Sequence, residues 1–289
     1  MAISLKDLQK GTSGKPPRLL VYGVSGIGKT TFCSDAPNPI FIQTEDGLGM
    51  IDCNAFPLAT SYADVRDAIG SLINDEHDYK TLVVDSLDWL EPLIQREVCV
   101  QQGVDSIESI PYGKGFIMAM DIWRDYLTGL NTLRDTRGMM IIQTAHSDIK
   151  RFESPDIDSY DRYVIKLHAK AAAVVQEHSD CVFFTNYKTH VVQEDVGFNQ
   201  KRNRAIGSGA RMLFTQEKPS FSAKNRYALA AEIPLDDKTW SVLAPSIPWF
   251  KQFAEPEAKP EPKAAKKPAQ AEKLVDSETA TPKFLQKKI

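Results

Sequence analysis

Five short runs of consecutive apolar residues divide the body of the chain: RLLVYG (18–23), PIFIQT (39–44), TLVVDS (81–86), MMIIQTA (139–145) and CVFFTNY (181–187). Apolar positions without alternation suit strands of a parallel sheet covered on both faces, since neither face meets water. Between them the period changes. In SYADVRDAIGSLIND (61–75) and GFIMAMDIWRDYLTGLNTLRDT (115–136) apolar side chains recur at three- and four-residue spacings, which predicts helices laid on the sheet. Beyond Asn186 the runs shorten to HVVQED (190–195), RMLFTQE (211–217) and RYALAAEIPL (226–235), separated by polar and Gly-rich turns, and read as antiparallel strands extending the sheet edge. The predicted class is α/β: a mainly parallel central sheet with C-terminal antiparallel strands.

The pattern stops near Ala254, where the chain becomes rich in Ala, Lys, Pro and Glu. That composition cannot bury enough apolar surface to offset its ordering entropy, so residues 254–289 read as a disordered tail, ending in an apolar-basic hook of Phe284, Leu285, Lys287 and Lys288. The expected organisation is a short N-terminal segment (1–16), one domain (17–253) and this tail. A formal net charge of −3 excludes a wholly basic nucleic-acid binder, leaving any DNA contact to a local patch. Cys33, Cys53, Cys99 and Cys181 show no CxxC spacing, and MAISLKDLQKG lacks an apolar signal region, so a reducing, cytoplasmic setting is expected. The apolar runs are too short to span a membrane.

The most informative segment is Gly23-Val24-Ser25-Gly26-Ile27-Gly28-Lys29-Thr30, a complete GxxxxGK[ST] directly after one apolar run and before TTFCSD. This is the setting of a P-loop, whose backbone N–H groups turn inward around a polyphosphate. The candidate nucleotide-binding residues are Gly23, Ser25, Gly26, Gly28, Lys29, Thr30 and Thr31, with Lys29 reaching the β- and γ-phosphates. Thr30 presents a hydroxyl to Mg²⁺, and Asp85, ending TLVVD, supplies a Walker B carboxylate; alone, a strand ending in Asp is equally a helix cap. Two carboxylates compete as base toward water. Glu45 follows IFIQT at a strand's C-terminal end, whereas Asp88 also suits the cap of a helix starting near Trp89.

Together these segments resemble the RecA-like recombinase core, and within it the phage-encoded nucleotide-binding proteins of the single-strand annealing group. IFIQTEDGLG (40–49) is similar to the family strand that ends in the catalytic glutamate, so the resemblance implies Glu45 as the general base. LVVDS (82–86) is similar to the Walker B strand, and MMIIQTAHS (139–147) takes the place of the strand ending in a γ-phosphate sensor, implied to be Gln143 or His146. Runs similar to YDRYVIKLHAKAAAVVQEHSDCVFF (160–184) and AKNRYALAAEIPL (223–235) occur in the phage group. The family's mobile DNA-contacting loops correspond to 101–115 and 148–163. They offer Tyr112, Lys114, Lys150, Arg151, Phe152, Tyr160, Arg162 and Tyr163, cations and aromatic platforms of the kind that hold single strands. Solvated loops with inward-turned aromatics are the alternative. Lys201, Arg202 and Arg204 form a further basic cluster, either a phosphate contact or a charged turn. In RecA-type assemblies a neighbouring protomer contributes cations to the γ-phosphate, a role the resemblance gives to Lys224 and Arg226. His168 and His178 lack a nearby third ligand and read as structural.

The resemblance implies an oligomeric, Mg²⁺-dependent ATPase, ring or filament, that binds single-stranded DNA and promotes annealing or pairing in the host cytoplasm. A single-strand-binding protein is a further expected partner. A P-loop serves phosphoryl transfer equally well, so a small-molecule or nucleotide kinase is the runner-up. An ATP-gated interaction protein acting through its tail is the third reading. The short N-terminal segment lacks the helical domain of larger recombinases, which counts against extended filaments.

Overall fold

All five apolar runs become strands of one sheet in the computed structural model of the chain, which describes residues 14–155, 157–195 and 201–253. β1 (Arg18–Gly23) lies between β5 (Met140–Ser154) and β7 (Cys181–Asp195). β4 (Thr81–Asp85), β2 (Pro39–Gln43) and the two-residue β3 (Asn54–Ala55) follow outward from β5, and every one of these pairings is parallel. Beyond β7 the direction reverses. β8 (Lys201–Phe214) and β10 (Glu232–Pro234) run antiparallel at that side, and β9 (Lys224–Asn225) pairs with the start of β7. The mainly parallel sheet with C-terminal antiparallel additions is the predicted class.

Leu19, Leu20, Val21 and Tyr22 of β1 are all fully buried, which explains why the sequence shows no alternation there. Leu20, Tyr22, Val84 and Ile141 face α2 (Tyr62–Asn74), α3 (Leu87–Gln102), α4 (Lys114–Arg137) and α5 (Ala169–His178). Leu19, Val21, Val83 and Ile142 face the other way, toward α1 (Lys29–Ser34) and α6 (Thr239–Leu243), with Trp249 and Phe250 closing that core. Each such side chain contributes about 1.5–3 kcal/mol on burial. α2 starts at a capping box, in which Ser61 accepts from the Asp64 N–H while the Asp64 carboxylate accepts from the Ser61 N–H. α4 ends at Gly138, whose φ of 67° stops the helix.

Three expectations change. HVVQED is not a separate strand but the far half of β7. The segment 148–163, expected as a loop, is an antiparallel hairpin: β5 continues past the sheet and turns into β6 (Ile157–Ile165), with Phe152 opposite Tyr160 and their rings 5.4 Å apart. Of RYALAAEIPL only Glu232–Pro234 is strand, because the Asn225 side chain bonds the backbone of Tyr227 and Leu229 and folds the intervening residues into a turn. The N-terminal residues 1–13 and the expected tail and hook lie outside the described residues. So do the side chains of Lys201, Arg202 and Arg204.

Candidate nucleotide-binding site

The C-terminal ends of β1, β2, β4 and β5 open on a cleft of about 300 Å³ lined by Ser25, Gly26, Gly28, Lys29, Thr30, Glu45, Asp85 and His146. The parallel strands bring these residues from four distant segments to one edge. Gly28 has a φ of 103°, a left-handed value that turns the chain into α1. Gly23 is demanded by packing: a Cβ there would lie 2.1 Å from the Thr185 carbonyl of β7.

Lys29 is buried, with its ammonium 3.3 Å from the Gly23 carbonyl and 3.1 Å from that of Val24. Burial lowers its pKa, and the carboxylates of Asp85, Asp88 and Glu45 oppose that shift and favour the cation. Thr30 donates its hydroxyl to Asp85 Oδ2 at 2.7 Å, and Thr144 donates to Oδ1, so both carboxylate oxygens are oriented. Glu45 stands on the opposite wall, where the Ser86 hydroxyl is 3.4 Å from its Oε2. Behind it, Thr44 stitches β2 to β4 by donating to the Ser86 carbonyl at 2.7 Å and accepting from the Ser86 N–H at 2.9 Å. Asp88 is not a helix cap and does not compete with Glu45 for the cleft. Its carboxylate accepts from the His146 N–H and lies 2.9 Å from His146 Nδ1. Burial pushes the Asp88 carboxyl up, and those His146 contacts outweigh it and hold the group below the ordinary range.

Several other candidates fall elsewhere. Gln143 is fully buried on the opposite face of β5, where its amide oxygen accepts from the Tyr126 hydroxyl at 3.0 Å; strand alternation places it away from the cleft that His146 lines. Lys224 donates to the carbonyls of Gln176, Glu177 and Ser179 and so caps the end of α5. Arg226 pairs with Asp180 at 2.9 Å, just before the start of β7 and thus at the sheet end opposite the P-loop. Both cations are held by contacts within this chain, away from its own P-loop. Of the aromatic and basic set, Tyr112 is 95% exposed and Lys114, Lys150 and Arg151 are also exposed. Phe152 and Tyr160 are partly exposed on the hairpin, with the Arg162 guanidinium 5.2 Å over the Phe152 ring. Arg162 is turned inward, paired with Glu217, and Tyr163 packs against Phe184 at 5.0 Å. His168 stacks on Phe116, and His178 contacts Asn131, the structural roles expected.

Residues 15–227 match the AAA domain family. The chain belongs to that family. Among curated proteins, the AAA-domain chain is similar to the SPbeta prophage-derived uncharacterized protein YorG of Bacillus subtilis (strain 168), with 28% identity over 216 residues. Those residues are 72% of this chain but 59% of that relative's length. Among solved structures it is similar to the RadB recombinase, at a TM-score of 0.42 and 12% identity over 78% of this chain and 90% of that one. The mainly parallel sheet with the P-loop between β1 and α1 is a P-loop NTPase core, and an AAA domain is a nucleotide-binding ATPase domain that usually works with Mg²⁺.

The residues present fit both. Buried Lys29 and the positive-φ turn suit a polyphosphate, and the Thr30–Asp85 pair presents the hard oxygens Mg²⁺ prefers. Among the described residues no group of three or more His, Cys, Asp or Glu could hold a metal ion by itself. No helix among the described residues is long and apolar enough to cross a membrane.

Sequence reasoning missed Thr144. Its signal was the two-residue strand period, which puts Ile142, Thr144 and His146 on one face and Gln143 on the other. It also missed Arg211, beside Gly28, which is brought there by tertiary packing alone.

Proposed function

We propose that the chain is a Mg²⁺-dependent ATPase that binds single-stranded DNA and promotes strand annealing or pairing in recombination of the phage type, working as an oligomer. The observation that carries the reading is the continuity of β5: one strand sets Thr144 behind Asp85, brings His146 to the phosphate cleft and runs on to Lys150, Arg151 and Phe152 of the exposed hairpin. A group that senses the γ-phosphate is thereby rigidly joined to cations and an aromatic pair suited to a single strand.

In this mechanism Lys29 and the P-loop N–H groups bind the phosphates, and Thr30 and Asp85 hold Mg²⁺, which supplies charge neutralisation when bound. Glu45 accepts the proton of the attacking water, which adds to the γ-phosphorus while the β–γ bridging oxygen leaves with ADP. Asp88 fixes the His146 ring at Nδ1, and Nε2, without a hydrogen-bond partner among the described residues, meets the γ-phosphate or the hydrolysed phosphate. Tyr112, on the turn before α4, and Lys114, the first residue of α4, extend the DNA-facing set.

Filter retention of a labelled single-stranded oligonucleotide tests the coupling. Wild type is expected to retain DNA in MgATP and release it in MgADP, Glu45→Gln to stay DNA-bound, and Lys29→Ala to show no nucleotide dependence. Equally tight DNA binding by Lys29→Ala without nucleotide refutes the coupling.

A further inference from the structure

Glu91 is a half-buried carboxylate that the phosphate chemistry leaves unused. It lies three residues after Asp88 on the same face of α3, and each of its two oxygens accepts from the backbone N–H of His168 at 3.0 Å. Burial raises its pKa, while the His168 N–H, the His168 ring and Lys150 of the hairpin act against that shift and favour the carboxylate.

These two acids hold the two limbs of the β5–β6 hairpin at its root. β5 parts from β4 after Gln143 and from β1 after His146, and from Ser147 onward its strand partner is β6. Asp88 grips the outgoing limb at the His146 N–H and Nδ1. The His146 carbonyl accepts from the Lys166 N–H at 2.9 Å, where the hairpin closes. Glu91 then grips the returning limb at His168, the residue that precedes α5. Further out, β6 meets the body at Tyr163, whose N–H donates to the Ser220 carbonyl. The His168 ring stacks on Phe116 at 5.1 Å, two residues after Lys114, so the segment that carries Tyr112 and Lys114 rests on the same anchor. Gln95, Trp123 and Ala171 close around Glu91 and the two rings, leaving a void of about 10 Å³, no larger than one water.

Anchoring both limbs to one helix decides what a displacement at His146 does. With His168 fixed on α3, a phosphate that shifts His146 shears one limb past the other and tips the hairpin. With the returning limb loose, that limb follows and the displacement is absorbed at the root.

We propose that Glu91 is a positioning residue for the coupling of nucleotide to DNA: by pinning His168 it makes α3 the fulcrum that turns contact at His146 into movement of the hairpin and the Tyr112 turn. The inference rests on the ATP-dependent single-strand binding proposed above. It requires no contact of Glu91 with nucleotide, metal or DNA.

Fluorescence anisotropy of a labelled single-stranded oligonucleotide with the full chain, in MgATP and in MgADP, tests it alongside steady-state hydrolysis without DNA, using wild type, Glu91→Ala, Glu91→Asp and Glu91→Gln. Wild type is expected to bind DNA about 5–150-fold more tightly in MgATP than in MgADP, the usual range of coupling between two sites. Glu91→Ala is expected to bring that ratio to within about twofold of unity, with KM for ATP and DNA-free turnover unchanged. Glu91→Asp, whose carboxylate stops short of the His168 N–H, is expected to behave as Glu91→Ala, and Glu91→Gln, which keeps an oxygen at the same reach, to recover most of the ratio. The wild-type ratio in both Glu91→Ala and Glu91→Asp overturns the role and leaves the ATP–DNA coupling intact. A fall in DNA-free turnover as large as the loss of coupling, or a Glu91→Gln as uncoupled as Glu91→Ala, also overturns it. Equal DNA affinity in the two nucleotides for wild type overturns the coupling itself. Thermal unfolding shows that each variant is folded; if Glu91→Ala is not, the contrast between Glu91→Asp and Glu91→Gln decides.

Discussion

Asp85 owes its orientation to two hydroxyls, from Thr30 and Thr144, and only the first is in a motif that names its own geometry. Thr144→Val keeps the shape of the side chain and removes the hydrogen bond. Groups that orient a metal's ligand typically change affinity or activity 10–100-fold, so the variant is expected to lose about that factor in Mg²⁺-dependent hydrolysis, read as a raised Mg²⁺ requirement in steady-state assays. Gln143 is the contrasting case. Gln143→Leu leaves the Tyr126 hydroxyl buried without its acceptor, at a cost of about 1–3 kcal/mol in denaturant unfolding, while hydrolysis per folded molecule stays at the wild-type rate. The P-loop residues were legible because the motif encodes a local turn, whereas choosing between Gln143 and His146 required strand parity. Arg211 was not legible, since nothing near it in sequence reports that β8 passes over Gly28.

At the scale of elements, the parallel strands and the helices α2 and α4 were readable from period alone, because double-sided burial and single-sided burial write different patterns. The β5–β6 hairpin was not. Its alternation is carried by charged and aromatic residues, DIKRFES against IDSYDRYVI, and only the end of β6 with Arg162, Tyr163 and Ile165 packs against the body, so no long apolar face marks it in the sequence. The hairpin holds its shape through cross-strand pairs, with Phe152 against Tyr160 and Arg162 over Phe152. A stacked base contributes about 1–3 kcal/mol, so replacing Phe152 and Tyr160 together by alanine is expected to weaken single-strand binding by at least tenfold at fixed salt. Fluorescence anisotropy with a labelled oligonucleotide measures the change, and an unaltered affinity would remove the hairpin from the DNA surface.

For the whole molecule, the end of the sheet opposite the P-loop is pinned by a charge cluster joining β1, α4, α5 and the strands around β7. Asp180 accepts from Arg18 at 3.0 Å, pairs with Arg226 at 2.9 Å and lies 3.8 Å from Arg134. Burial pushes its carboxyl up, but the Arg18 hydrogen bonds and charge outweigh burial and hold it below 3.8. Nearby His178 is pushed down to about 4 by burial and by the cations Arg18, Arg134 and Lys224, against the pull of Asp180. Between pH 6.5 and about 4 the unfolded chain therefore binds a proton at His178 that the folded chain refuses, and stability falls as pH falls, by up to roughly 3 kcal/mol. Below 3.8 the unfolded chain protonates Asp180 before the folded one, which adds a second loss as the pH drops through the folded value. Denaturant midpoints measured across this range are expected to show the first limb flattened in His178→Asn. Asp180→Asn is expected to cost about 3–5 kcal/mol at pH 7, as when one partner of a buried ion pair is removed. This cluster was legible only as scattered charges, because its members lie far apart along the chain.

The central claim is that a phosphate cleft and a DNA-facing hairpin share one strand and act as one device. Mg²⁺-dependent ATP hydrolysis by the full chain, with and without a single-stranded oligonucleotide at low and moderate salt, tests it most directly, with Glu45→Gln alongside. The predicted result is a several-fold stimulation by the oligonucleotide that weakens as salt rises and vanishes in Glu45→Gln. Hydrolysis at one rate with and without the oligonucleotide, at either salt, would contradict it.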